Sequence, residues 1–205
     1  MTQEPFYSEL EVISRVLSGQ IEAYSWIVKR YKTPLFRLGL KMTGDLAMVD
    51  DVVQETFIKA YQKLGTFAGR SSFKSWLYQI FMNTLRNFLR KKPVIPLEKC
   101  VLKYQDPMLN KLHHQQIANI LEEAIQQLPP RQKMAVTLRI YEDLSFEEIA
   151  YIMGSPYDTA KANFRHGLLK LKTVLEKHGN ILNSLEDPEP VVHDVFYHLE
   201  EGEVI

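Results

Sequence analysis

SFEEIAYIMGSPYDTAKANFRHGLLKLK, residues 145–172, is the stretch whose reading decides the fold. Apolar residues recur at helical spacing on both sides of Gly154, and each half opens on a start signal. Ser145 and Glu148 stand at the three-residue offset of a capping box, and Ser155 with Asp158 repeats the offset with a shorter acid. Pro156 suits a first helical position, where its missing N–H leaves no bond unmade. Two helices are expected, about Phe146 to Met153 and Pro156 to Glu176, with a tight turn at Gly154 between them. That is helix-turn-helix geometry. In the second helix Ala160, Phe164, Leu168, Leu171 and Leu175 form the apolar stripe. Thr159, Ala162, Asn163, His166 and Lys170 face the other way, flanked by Lys161 and Arg165. No acid lies between Thr159 and Leu175, so this face can approach phosphates and base edges without repulsion. An ordinary solvated basic face on a three-helix bundle is the plainer alternative.

Working outward, almost every periodic segment is helical and no alternating strand pattern appears, so the fold class is all-α. A helix from about Arg131 to Tyr141 follows Pro129-Pro130, and another from about Met108 to Gln127 precedes it. Pro93, Pro96 and Pro107 bracket a stretch of little periodicity, the expected linker. Nearer the N-terminus the pattern predicts a helix over Glu9 to Leu17. A second follows from about Ile21 to Met42, interrupted or kinked near Thr33-Pro34. Gly44 ends that segment, Asp45 caps a helix from about Leu46 to Leu64, and a fourth runs from about Phe73 to Lys91 after a loop. Two small helical domains joined by a flexible linker are expected: 1–92, linker 93–112, 113–177 with the helix-turn-helix, then an acidic tail, 178–205.

The net charge of zero is a sum of segregated blocks. Residues 179–205 hold seven acids and no Lys or Arg, so the remainder carries 25 basic residues against 18 acidic ones. From Thr56 to Leu97 there is no acid, while Lys59, Lys63, Arg70, Lys74, Arg86, Arg90, Lys91 and Lys92 are basic. Asp45, Asp50, Asp51 and Glu55 cluster just before. Opposite charges on neighbouring surfaces suggest two partners, one of them polyanionic.

The acid-free stretch also carries Phe57, Tyr61, Phe67, Phe73, Trp76, Tyr78, Phe81 and Phe88. Interleaved aromatic and basic residues suit single-stranded nucleic acid, whose bases stack and whose phosphates need neutralising. Phe73, Trp76, Leu77, Ile80, Phe81, Leu85 and Phe88 nevertheless recur at helical spacing and read mostly as core. Phe67, in the loop, has the better claim to a base, and Asn83, Arg86 and Arg90 lie on the less apolar face. In VDDVVQETFIKAY, residues 49–61, Val49, Val52, Val53, Phe57 and Ala60 make the buried stripe, turning Asp50, Asp51, Gln54 and Glu55 outward. Taken alone this is an amphipathic helix with a solvated face.

Together these segments resemble the extracytoplasmic-function class (group IV) of RNA polymerase sigma factors, over about residues 8–177. GD-x4-DDVVQETFIKAY at 44–61 is similar to that family's polymerase-binding helix. FKSWLYQIFMNTLRNFLRKK at 73–92 is similar to its promoter-melting helix, and residues 128–172 resemble its C-terminal recognition domain. The resemblance implies that Asp51, Gln54 and Glu55 contact the clamp coiled coil of the largest polymerase subunit. It implies that the loop Gly65 to Ser72, with Phe67, and Asn83 capture an unstacked minus-10 base, with Arg86 and Arg90 on nearby backbone. Lys161, Asn163 and Arg165, with Thr159 and His166, would dock in the minus-35 major groove. Two positions depart from the pattern. Asn87 stands where an aspartate is common, and Ala162-Asn163 replaces a frequent Ser-Arg, removing a guanidinium able to read guanine.

The implied role is to direct core RNA polymerase to promoters and assist their melting, with promoter DNA, duplex and single-stranded, as the second partner and an anti-sigma factor as a third. A stand-alone helix-turn-helix regulator is the alternative, but it leaves the acidic helix and the acid-free stretch without a role. No metal-ligand or nucleophile constellation and no glycine-rich phosphate loop is present, so neither an enzyme nor a cofactor is expected. An acidic N-terminus without an apolar core, no run of eighteen apolar residues and one cysteine fit a cytoplasmic protein with no membrane span. Cys100, in the linker, is either a redox-sensitive thiol or an inert residue. Val192, Val195, Phe196 and Leu199 can line one face of a short acidic helix that covers the basic DNA-binding surface; a solubilising tail without fixed structure is the alternative.

Overall fold

The computed structural model describes residues 8–91 and 120–177, which fall into two units on either side of a division between residues 98 and 99. The expected linker with Cys100, residues 108–119 of the helix before Pro129 and the acidic tail lie outside the described residues. Among the described residues every regular element is helical, as the spacing predicts. None of these helices is long and apolar enough to cross a membrane.

In the first unit α1 spans Glu9–Leu17, with the Ser8 hydroxyl accepting from the Glu11 N–H. A 3-10 turn, Ile21–Ala23, leads into α2, Tyr24–Thr43. The expected single helix from Ile21 is thus a tight turn followed by a helix, and α2 continues through Pro34. Gly44 ends α2 in the left-handed conformation, and the Asp45 carboxylate then accepts from the Met48 N–H to start α3, Leu46–Lys63. α4 runs Phe73–Lys91. Its start is held by Ser72, whose Oγ accepts from the Ser75 N–H at 3.1 Å.

Val49, Val52, Val53, Phe57 and Ala60 are buried as their spacing requires, and α3 packs on α2 and α4, whose Ile27, Leu35, Leu38, Leu77, Phe81 and Leu85 are buried too. The close approach of these helices depends on Gly39. A Cβ added there would lie 2.7 Å from Val49 Cγ1 and 3.1 Å from Phe81 Cζ. α1 is fastened to α2 through Glu9, whose Oε1 accepts from the Tyr31 hydroxyl at 2.7 Å and lies 3.4 Å from Arg30 Nε.

In the second unit the described part of α5 is 120–126, followed by α6, Pro130–Glu142, α7, Phe146–Met153, and α8, Tyr157–Lys177. The capping box at Ser145 and Glu148 forms in both directions, and Gly154, at φ 59°, makes the turn to α8. The second expected box does not form. Ser155 Oγ is buried without a hydrogen-bond partner, and Pro156 stands just before the helix, its carbonyl accepting from the Ala160 N–H at 3.1 Å. With Pro156 in the position immediately before α8, Ser155 stands one residue outside cap register, so its three-residue offset to Asp158 no longer spans a capping box. Ala160, Phe164, Leu168 and Leu171 are all fully buried; the side chain of Leu175 lies outside the described residues. Phe146 joins α7 to α8, its ring 5.3 Å from that of Phe164 and 5.3 Å from the Arg139 guanidinium above it.

Candidate functional site

Three surfaces collect the residues singled out from the sequence. The first is the outer face of α3. Asp51 and Gln54 are exposed and Asp50 and Glu55 half-buried, because the 3.6-residue repeat puts them opposite Val52 and Val53. The side chains are already organised among themselves. Gln54 Nε2 donates to Asp50 Oδ2 at 2.8 Å, and Glu55 pairs with Lys59 at 3.2 Å. Lys59 Nζ also lies 3.4 Å from Thr84 Oγ1 of α4, so the acidic face ends on a cation shared between the two helices. Asp51 makes the most outward acid of the group, and a partner of basic character would meet it first.

The second surface is the outer face of α4 with the loop before it. Asn83, Arg86 and Arg90 are all exposed, and Arg86 donates to Asn83 Oδ1 at 3.1 Å. That bond occupies the Asn83 carbonyl and leaves its amide N–H groups toward any incoming acceptor. The aromatic residues behave differently from the single-strand pattern. Phe57, Phe73, Tyr78 and Phe81 are buried, and Phe67, Trp76 and Phe88 are half-buried. Tyr61, the exposed one, already sits edge-on to Tyr24 at 5.1 Å. Burial, with Tyr61 beside it as the smaller cause, pushes the Tyr24 hydroxyl well above its usual range, and it donates to the Phe57 carbonyl at 2.8 Å. Phe67 lies 5.5 Å from Phe73 and 5.4 Å from Trp76, and with Trp76 forms the half-buried rim of an aromatic cluster that includes buried Phe73 and Tyr31. A base reaching this loop would find the rim of that cluster.

The third surface is the exposed side of α8. Arg165 and His166 are exposed, while Thr159, Lys161 and Asn163 are half-buried. Asn163 Nδ2 donates to the Thr159 carbonyl one turn back at 2.7 Å, which fixes the amide and turns its remaining capacity outward. At about 100° per residue, Thr159, Asn163 and His166 share one side of the exposed face and Lys161 and Arg165 the other. One groove approach cannot therefore bring Lys161 and Asn163 to the same base edges. Gly167 sets the depth of this helix. A Cβ there would stand 2.5 Å from Val136 Cγ2 of α6, so the glycine lets α8 sit down on its support.

Several residues that hold these surfaces had no clear signal in the sequence. Lys133 is buried, its Nζ donating to Gln126 Oε1 at 3.0 Å, and burial holds its pKa below the usual lysine range. Arg139 donates to the Leu144 carbonyl at 3.1 Å. Ser72 does carry a local signal, since a serine just before an apolar run is a helix start signal. The partner of Lys133 and the side chains that crowd Gly39 and Gly167 lie on other helices, so no pattern within one helix marks them.

Comparison with known proteins covers both units. Residues 27–93 match the family described as Sigma-70 region 2, and residues 118–171 match Sigma-70, region 4. The chain is 33% identical over 175 residues to the RNA polymerase sigma-H factor of Pseudomonas aeruginosa, covering 79% of this chain and 89% of that one. It is 35% identical over 166 residues to the ECF RNA polymerase sigma-E factor of Escherichia coli K12, covering 74% of this chain and 85% of that one. Among solved structures, CnrH in complex with the cytosolic domain of CnrY matches with a TM-score of 0.62 at 20% identity, over 81% of this chain and 96% of that one. RpoE of Bartonella quintana, in complex with the anti-sigma factor NepR, matches with a TM-score of 0.57 at 21% identity, over 75% and 96% of the two chains.

Proposed function

We propose, for a chain that belongs to the sigma-70 family as a sigma factor of the extracytoplasmic-function type, a division of its initiation work among the three surfaces described above. As a sigma factor it acts with core RNA polymerase on promoter DNA. Membership of group IV, a cytoplasmic location and the absence of catalysis by the chain itself are part of this reading, with the polymerase supplying the chemistry. Its domains are 1–92 of region 2 type, a linker at 93–112, 113–177 of region 4 type and a tail at 178–205.

In this reading Asp51, Gln54 and Glu55 on α3 contact the clamp coiled coil of the polymerase. Phe67 and Asn83 receive an unstacked base of the minus-10 element, and Arg86 and Arg90 hold the backbone beside it. Unstacking costs a few kcal/mol per base, which the pocket and stacking interactions offset. Thr159, Asn163 and His166 face minus-35 base edges, while Lys161 and Arg165 meet phosphates on the other side. An anti-sigma factor is a further proposed partner, in line with the complexes in which the structural relatives were solved.

The observation that carries the reading is the acidic face of α3 ending, at Lys59, on the acid-free face of α4. A DNA-binding regulator has no use for the first surface; a factor that must hold polymerase and displaced strand together needs both. The test is transcription in vitro. Genomic start sites mapped after overexpression supply a template, and core polymerase with this protein should initiate there while core alone does not. Initiation by core alone, or a footprint by the protein without polymerase, would sink the proposal.

A further inference from the structure

Leu169 is 40% exposed, at the middle of the outward face of α8. By helical rotation it lies between Arg165 and Lys172 on one side and His166 and Thr173 on the other. A leucine among cations adds nothing to the binding of phosphate. It suits a segment that is at once apolar and acidic. This chain carries such a segment. Glu186, Asp187, Glu189, Asp194, Glu200, Glu201 and Glu203 lie in residues 179–205 with no Lys or Arg, and Val192, Val195, Phe196 and Leu199 recur at i, i+3, i+4 and i+7.

We propose that residues 190–203 of this chain dock on α8, their apolar side chains covering Leu169 and their acids meeting Arg165, His166 and Lys170. The docked segment competes with duplex DNA for the face assigned above to the minus-35 element, so the inference rests on that assignment. The connection is long enough. α8 ends at Lys177, and the seventeen residues from there to Asp194 can extend about 55 Å, whereas Arg165 lies about 18 Å back along the helix axis. Tethering supplies the segment at an effective concentration on the order of millimolar, enough for a weak interaction to persist. Binding to polymerase or to a high-affinity promoter would displace it.

Two measurements on the full chain test this. With Cys100, the only cysteine, replaced by serine, Leu169→Cys and Phe196→Cys are introduced together and oxidised. An intramolecular disulfide should form, and should be lost when Asp194, Glu200 and Glu201 are changed to Asn, Gln and Gln. No disulfide overturns the docking. The second measurement is affinity of the free protein for a nonspecific duplex. Deletion of residues 186–205, the pair Val195→Ser/Phe196→Ser, and Leu169→Ser should each raise it by about three- to tenfold at low salt. The serine pair keeps every tail charge. If the deletion raises affinity and the serine pair does not, the tail acts by repulsion alone and docking is wrong. A separate variant, Lys161→Ala/Arg165→Ala, tests the DNA face. If the disulfide forms while neither this variant nor the deletion alters duplex affinity, the docking stands and the minus-35 assignment fails.

Discussion

Ser145 and Ser155 both stand ahead of a helix, but Ser145 is the residue immediately before α7 while Pro156 separates Ser155 from α8, and only Ser145 caps. The Ser145 hydroxyl takes the Glu148 N–H at 3.3 Å and Glu148 returns a bond to the Ser145 N–H at 3.1 Å. Ser145→Ala should therefore cost about 1 kcal/mol in urea unfolding of the second unit. Ser155→Ala removes a buried hydroxyl without a partner and should leave stability unchanged or raise it. Equal losses from the two would contradict this account. Lys133 gives a pH-dependent contrast. Its folded pKa lies below the ordinary 10.5, so over the interval between them the unfolded chain holds the extra proton. Stability then rises as pH climbs through the folded value toward 10.5. Lys133→Met keeps the aliphatic packing and should lack that rise when urea midpoints are compared at neutral and alkaline pH; an identical pH profile would refute it. The Ser145 box was legible in the sequence because both partners lie within one turn. The Lys133 bond was not, because its value depends on Gln126 from the preceding helix.

At the scale of elements, two glycines decide how closely helices approach. Gly39 brings α2 against Val49 and Phe81, and Gly167 brings α8 against Val136. Gly39→Ala and Gly167→Ala should each destabilise their unit by about 1–3 kcal/mol, although alanine is the better helix former in isolation. Val136→Ala should relieve much of the cost of Gly167→Ala, whereas the same change should not help Gly39→Ala. Stabilisation by either alanine, read as a rise in urea midpoint, would remove the steric argument. Helix positions themselves were largely readable from spacing and caps, as α1, α3, α4 and α7 demonstrate. The turn before α2 was not, since Ile21 and Ala23 continue the apolar pattern and only backbone geometry separates them from Tyr24. The aromatic residues of α4 show the same division. Their spacing indicated the buried side, while the place of Phe67 on the rim of the Phe73–Trp76 cluster depended on how the preceding loop folds back.

For the whole molecule, the two units should fail separately when their surfaces are altered. Asp51→Arg with Gln54→Ala should abolish assembly with core polymerase while leaving thermal unfolding unchanged, because both side chains are exposed. Lys161→Ala with Arg165→Ala should leave assembly intact, weaken duplex binding at low salt and flatten its salt dependence by about 0.9 for each phosphate no longer neutralised. If the first pair weakens duplex binding and spares assembly, the surfaces have been assigned the wrong way round. What the sequence determined by itself is the helical class, the order of the segments, the helix-turn-helix and the sorting of charge. Each of these rests on residues within a few turns of one another, where helix periodicity and capping act. Only tertiary structure decided which contacts join separate elements: Lys59 of α3 on Thr84 of α4, Phe67 against its aromatic neighbours, Gly167 under α8. Packing of distant segments sets those distances, and a chemical pattern along the chain does not encode them one residue at a time.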